Sequence, residues 1–113
     1  LITIRVLLSG PDRIVGYEVS GHAGFAHAGT DIVCAAVSIL AENLIPSLRH
    51  LAGTEPEVRQ ELGFFSVRLD GGSVDERAAI LTASALLGFR SIAERFPENV
   101  SIESVRMDSG MPS

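Results

Sequence analysis

The chain has 113 residues, which fits one domain spanning 1–113 and leaves little room for a second. Apolar residues make up 46% of it, enough to bury a core without disulfides or a structural metal. The formal charge is −5, the nine basic residues are all arginine and lie scattered, and tryptophan is absent. These features argue against a binder of nucleic-acid backbone or stacked bases.

Residues Ile2 to Leu8 alternate and are rich in branched side chains, the pattern of a strand. Gly10-Pro11-Asp12 is a turn signal, and Arg13 to Ser20 reads as a second strand that pairs back as a hairpin. From Gly21 to Thr30 the alternation stops, and three glycines among small residues suit a mobile loop. Asp31 then reads as a helix cap or first-turn residue, and Ile32 to Leu51 carry apolar residues at helical spacing. Pro46 falls inside that stretch, where it removes a hydrogen bond and predicts a kink. Glu57 to Glu61 and Phe64 to Asp70 read as strands joined at Leu62-Gly63. A break with a cap at Gly71-Gly72-Ser73 leads into a second helix, Val74 to Phe96, which Pro97 ends. Val100 to Met107 alternates again as a last strand, and the tail from Asp108 is expected to fray.

The order is therefore β-β-α-β-β-α-β, an α+β fold. A two-layer sandwich of two helices on a mostly antiparallel sheet is the simplest way to bury both apolar faces. One cysteine makes no internal disulfide, which favours a reducing compartment. No signal peptide is expected ahead of a strand that opens at residue 2. The most apolar stretch, taken as Ala78 to Phe89, is too short for a bilayer. A soluble cytoplasmic protein without membrane association is the expectation.

Chemistry concentrates between Ser20 and Cys34. The thiolate is the reactive form of cysteine, and a helix N-terminus favours it through free N–H groups and the macrodipole. Cys34 stands about three residues into the expected helix, within reach of that effect. His22 follows the second strand, a rigid place from which to aim an imidazole. A cysteine with a histidine base is the minimal arrangement for attack on a carbonyl carbon. Spacing alone does not choose between His22 and His27 as the base. A buried packing role for Cys34 and solvated roles for the histidines are the plainer readings. A metal site from His22, His27 and Cys34 matches no standard zinc spacing, so no metal is assigned.

Gly21-His22-Ala23-Gly24, Gly29 and Asp31-Ile-Val-Cys-Ala-Ala-Val-Ser38 together resemble the signature of the bacterial ribosomal-processing cysteine protease family, Prp. The opening hairpin, both helices and Gly88-Phe89-Arg90-Ser91-Ile92-Ala93-Glu94 extend the resemblance to about Met107. It implies a homodimer, and no cofactor is assigned. Such an enzyme removes an N-terminal extension from a large-subunit ribosomal protein precursor, cutting after paired aromatic residues; the charge and composition above already leave no direct nucleic-acid partner expected. It also implies that Cys34 is the nucleophile, that His22 rather than His27 is the base, and that the intervening loop moves when substrate arrives. Pro46 is a departure from what the family leads one to expect.

Further roles follow from that frame. Backbone N–H groups at the start of the helix around Cys34 are expected to hold the oxyanion. Asp31 either orients the His22 imidazole or caps the helix. Gly21, Gly24 and Gly29 supply the freedom of a lid, and Phe25 either closes over substrate or anchors the loop. Ser38, one turn beyond Cys34, either contacts substrate or packs. Ser84 and Gly88 on the second helix permit close approach of a partner or of a core element. The alternative function is a non-catalytic, ribosome-associated binding module in which Cys34 is structural. A thiol enzyme acting on a small molecule is a third reading, with no cofactor fingerprint behind it.

Overall fold

The computed structural model describes residues 1–21, 28–70 and 74–107, with the backbone alone at 28–31. Seven elements follow in the expected order. They are β1 (Ile2–Ser9), β2 (Arg13–Gly21), α1 (Ala28–Leu51), β3 (Glu57–Glu61), β4 (Phe64–Arg68), α2 (Glu76–Arg95) and β5 (Val100–Arg106). The sheet runs β3-β4-β2-β1-β5. Three of its four neighbour pairs are antiparallel; β5 lies parallel to β1, because the chain reaches it by the α2 crossover instead of a tight turn.

Strand alternation decides which side chains form the core. Ile2, Ile4 and Val6 of β1 stand opposite Gly21, Val19 and Tyr17 of β2 and beside Val100, Ile102 and Ser104 of β5. Tyr17 and Val19 in turn face Val67 and Phe65 of β4. The two helices cover this side. On α1, Val33, Val37, Ala41, Leu44 and Leu48 recur at helical spacing and are all buried. On α2, Ala78, Ala85 and Phe89 do the same. The Tyr17 ring packs tilted on Phe89, with centroids 5.0 Å apart, and its hydroxyl donates to the Thr82 carbonyl at 2.6 Å. The other side of the sheet carries a polar cluster as well as the buried Leu7. There Arg5 of β1 donates to the Ser20 hydroxyl at 3.0 Å and pairs with Glu103 of β5 at 2.9 Å.

Several boundaries differ from the sequence reading, most by one or two residues, and three of the differences matter here. The first helix begins at Ala28, four residues before the expected Ile32, so Gly29 is helical backbone and not loop, and Asp31 ends the first turn. The second helix is capped by Asp75, whose carboxylate accepts from the Ala78 N–H at 2.9 Å, in place of the cap expected at Gly71-Gly72-Ser73. Residues 71–73 lie outside the described residues. The fourth strand ends at Arg68, two residues before the expected Asp70.

Pro46 does not break α1, which runs unbroken to Leu51 with the proline on its exposed side. The most apolar long segment is also not the one read from sequence. Ile32–Leu51, 20 residues with a mean hydropathy of 1.5, is by length and composition alone long and apolar enough to cross a membrane. Its buried stripe belongs to the core described above, as expected for a core helix. Gly88 faces Leu40 of α1, so this small residue serves the contact between the two helices of one chain. Ser84 is exposed.

Candidate active site

One end of the sheet and the first half of α1 enclose a cleft of about 220 Å³. Its position follows from the topology. β1 begins here at Ile2, β2 ends here at Val19 and Gly21, and the β3–β4 hairpin turns here through Glu61, Gly63 and Phe64. Helix α1 closes the opposite wall with Cys34, Val37, Ser38, Ala41 and Glu42. Ile2, Val19, Val37, Ala41, Phe64 and Phe65 give it an apolar lining. Ser38, Glu42, Gln60 and Glu61 supply polar groups.

Cys34 is half-buried and is the protein's single cysteine, a free thiol. It shares a helix face with Ser38 and Glu42, at spacings of four and eight residues. Val33 and Val37 hold that face against the sheet, each buried to 1% exposure. The thiol therefore sits on a helix anchored to the sheet by buried side chains beside it.

Gly21 forms the facing edge. It stands in register with Ile2, its N–H donates to the Gly63 carbonyl at 3.0 Å, and its φ is +89°. A Cβ here would collide with the Leu1 carbonyl oxygen, so both the backbone angle and the close approach require glycine. His22 is bonded directly to Gly21. His22, Gly24 and Phe25 lie outside the described residues, as does His27. Asp31 is the fourth residue of α1, three before Cys34, and Gly29 is the second.

Of the sequence-derived site residues, the structure brings Gly21, Cys34 and Ser38 to one cleft. It changes the surroundings expected for the thiol. Cys34 is the seventh residue of α1, not the third, and so stands in the second turn. The free N–H groups of a helix that starts at Ala28 belong to residues 28–31, and the macrodipole effect fades within the first turn. The Cys34 N–H is committed to the helix, so oxyanion donors on the Cys34 backbone are not on offer.

Beyond Gly21, Cys34 and Ser38, sequence reasoning named no residue of the cleft. Glu42 was accessible to it, being two turns along the helix from Cys34. Ile2, Val19, Gln60, Glu61, Phe64 and Phe65 were not, because only strand register brings them to α1. Among the described residues, no three or more His, Cys, Asp or Glu side chains come together to hold a metal ion.

Fold and cleft define a class: an α+β domain that presents one cysteine, on a helix packed against the sheet, to a largely apolar cleft. The model of the cysteine protease Prp family matches residues 1–101, and the chain belongs to that family. It is 27% identical over 108 residues to the ribosomal processing cysteine protease Prp of Bacillus subtilis (strain 168), an alignment covering 90% of this chain and 96% of the relative. The protein of the same name from Staphylococcus aureus (strain Mu50 / ATCC 700699) is 24% identical over 104 residues, covering 90% and 97%.

Among solved structures, SMU.848 from Streptococcus mutans superposes with a TM-score of 0.85 at 30% identity, over 95% of this chain and 96% of the other. The S. aureus protease Prp bound to a substrate peptide shares the fold, with a TM-score of 0.83 at 20% identity over 93% and 100%. The same protein with a covalently linked product peptide gives 0.82 at 21% identity, again over 93% and 100%.

Proposed function

We propose that this protein is a cysteine endopeptidase that removes the N-terminal extension of a large-subunit ribosomal protein, cutting after paired aromatic residues. The observation that carries the reading is the meeting of Cys34 with Gly21, the residue bonded to His22, across an apolar cleft. The relatives named above are ribosomal processing proteases, and the S. aureus enzyme is seen with a substrate peptide. The floor of Ile2, Val19, Val37 and Phe65 suits aromatic side chains, whose transfer out of water supplies binding energy.

In the proposed reaction the Cys34 sulfur bonds to the scissile carbonyl carbon as the thiolate, after His22 takes the thiol proton. Collapse of the tetrahedral species breaks the C–N bond, and His22 returns the proton to the departing amine. Water, deprotonated by His22, then attacks the thioester and releases Cys34. Asp31 orients the His22 imidazole in this scheme, and the segment from Gly21 through Gly24 and Phe25 closes over bound peptide. Ser38 borders the bound chain one turn from the nucleophile.

We further infer a cytoplasmic homodimer. The outer side of α1 supports the second part, since Ile32 and Ile39 are 63% and 70% exposed along a shallow groove with Ala35, Ala36 and Leu40.

The test uses a peptide with two adjacent phenylalanines, incubated with the parent and with Cys34→Ala and His22→Ala. Cleavage after the pair by the parent, lost in both folded variants, is the expected outcome. An alkylatable, folded parent that leaves the peptide intact removes the assigned substrate.

A further inference from the structure

Glu42 gives the cleft a feature that paired aromatic residues do not explain. It shares the α1 face of Cys34 and Ser38, is exposed, and borders the same cleft as the thiol. The other carboxylate there, Glu61, is already engaged by Arg59 at 2.6 Å, while the Arg59 guanidinium lies 5.3 Å above the Phe64 ring. No arginine is among the described residues that line the cleft. A charged substrate side chain entering near Glu42 therefore meets a carboxylate without a described counter-ion beside it.

We propose that Glu42 is a specificity-determining residue that selects a basic side chain in the substrate, about four residues from the scissile bond. This deepens the endopeptidase reading and rests on it for the meaning of the scissile bond.

For a peptide that runs along α1, the helix rise sets the substrate position. Eight residues of helix separate Cys34 from Glu42, which is about 12 Å along the axis. An extended peptide advances about 3.3 Å per residue, so that length spans three to four residues of bound chain. A lysine or arginine there reaches the carboxylate with its long side chain while its aliphatic stem lies on the apolar lining. The same position occupied by aspartate or glutamate meets like charge. An exposed pair of this kind changes affinity by about two- to fivefold and weakens with salt, so it tunes selection among peptides that already carry the aromatic pair.

The experiment uses peptides with one aromatic pair, each carrying Lys, Gln or Glu four residues before or after the scissile bond. It measures kcat/KM on the parent, Glu42→Gln and Glu42→Lys, and anisotropy-based binding of the same peptides to Cys34→Ala forms of each. The expected result is a Lys over Gln preference of about two- to fivefold at one of the two positions in the parent. That ratio falls to one in Glu42→Gln, reverses in favour of Glu in Glu42→Lys, and shrinks in 0.5 M salt.

Cleavage of all peptides with the same ratios in parent and Glu42→Lys overturns the proposal and leaves the endopeptidase reading intact. Absence of cleavage, with a Glu42-dependent Lys preference in binding, removes the endopeptidase reading and sustains a basic-peptide site at Glu42. Absence of charge preference in both assays overturns the proposal.

Discussion

Gly21 and Ile2 stand opposite each other at the last register pair of the β1–β2 hairpin, with Gly21 pressed against the Leu1 carbonyl oxygen. The contact fixes where β2 ends and so where the chain departs toward His22. Gly21→Ala forces an L side chain into a φ of +89° and into the backbone of β1. The expected cost is about 1–3 kcal/mol, read as a lower urea midpoint at unchanged slope. An unchanged midpoint would mean that neither the angle nor the collision is paid for in the folded state.

Cys34 offers a direct chemical readout because it is the chain's single thiol. In the folded protein, iodoacetamide is expected to label it at neutral pH, since it borders an open cleft. His22→Ala is expected to slow that labelling by on the order of tenfold, because a nearby base raises the thiolate fraction. Mass spectrometry during the reaction checks both. Labelling that begins only on unfolding would identify Cys34 as a packing residue.

Tyr17 links stability to alkaline pH. Its hydroxyl is buried and donates to Thr82, and burial pushes its pKa well above the usual value of 10.0. A folded-state pKa above the unfolded one stabilises the fold fully below the unfolded value. That contribution is lost as pH rises past about 10. Tyr17 is the chain's single tyrosine and tryptophan is absent, so absorbance near 295 nm follows it alone. Phenolate absorbance is expected to rise together with loss of helical circular dichroism, not before it. Tyr17→Phe leaves the Thr82 carbonyl without this donor at a cost of about 1–2 kcal/mol at neutral pH, while removing the alkaline dependence.

Ile39 tests the proposed homodimer. It is 70% exposed on α1, on the side away from the core. Ile39→Glu places a charge where a dimer through this face would bury an apolar side chain, at a cost of several kcal/mol per interface. Light scattering on a sizing column is expected to show the parent at twice the chain mass and the variant at the chain mass. A parent at twice the chain mass with an unaffected variant would move the interface elsewhere.

The sequence by itself determined the element order, because alternation and helical spacing are local properties of the chain. Glu57–Glu61 is bounded as expected, and β1, β2 and β5 differ by a residue at one end. It also singled out Cys34, since a lone thiol beside a glycine-rich segment is a chemical signal that needs no coordinates. Helix starts were harder. Small residues such as Ala28 and Gly29 carry no apolar periodicity, so α1 extends through residues that read as loop. That shift of four residues moved Cys34 from the first turn to the second and withdrew its backbone as an oxyanion donor.

Only the tertiary structure decided what Cys34 faces. The hairpin register carries Gly21 to Ile2, and the β2–β4 register carries Val19 to Phe65. Packing of Val33 and Val37 on that surface turns Cys34, Ser38 and Glu42 toward the cleft. No window of sequence holds those relationships. They arise from pairing between residues 19 and 46 positions apart, and a slip of one residue would turn the same side chains to the other face of the sheet.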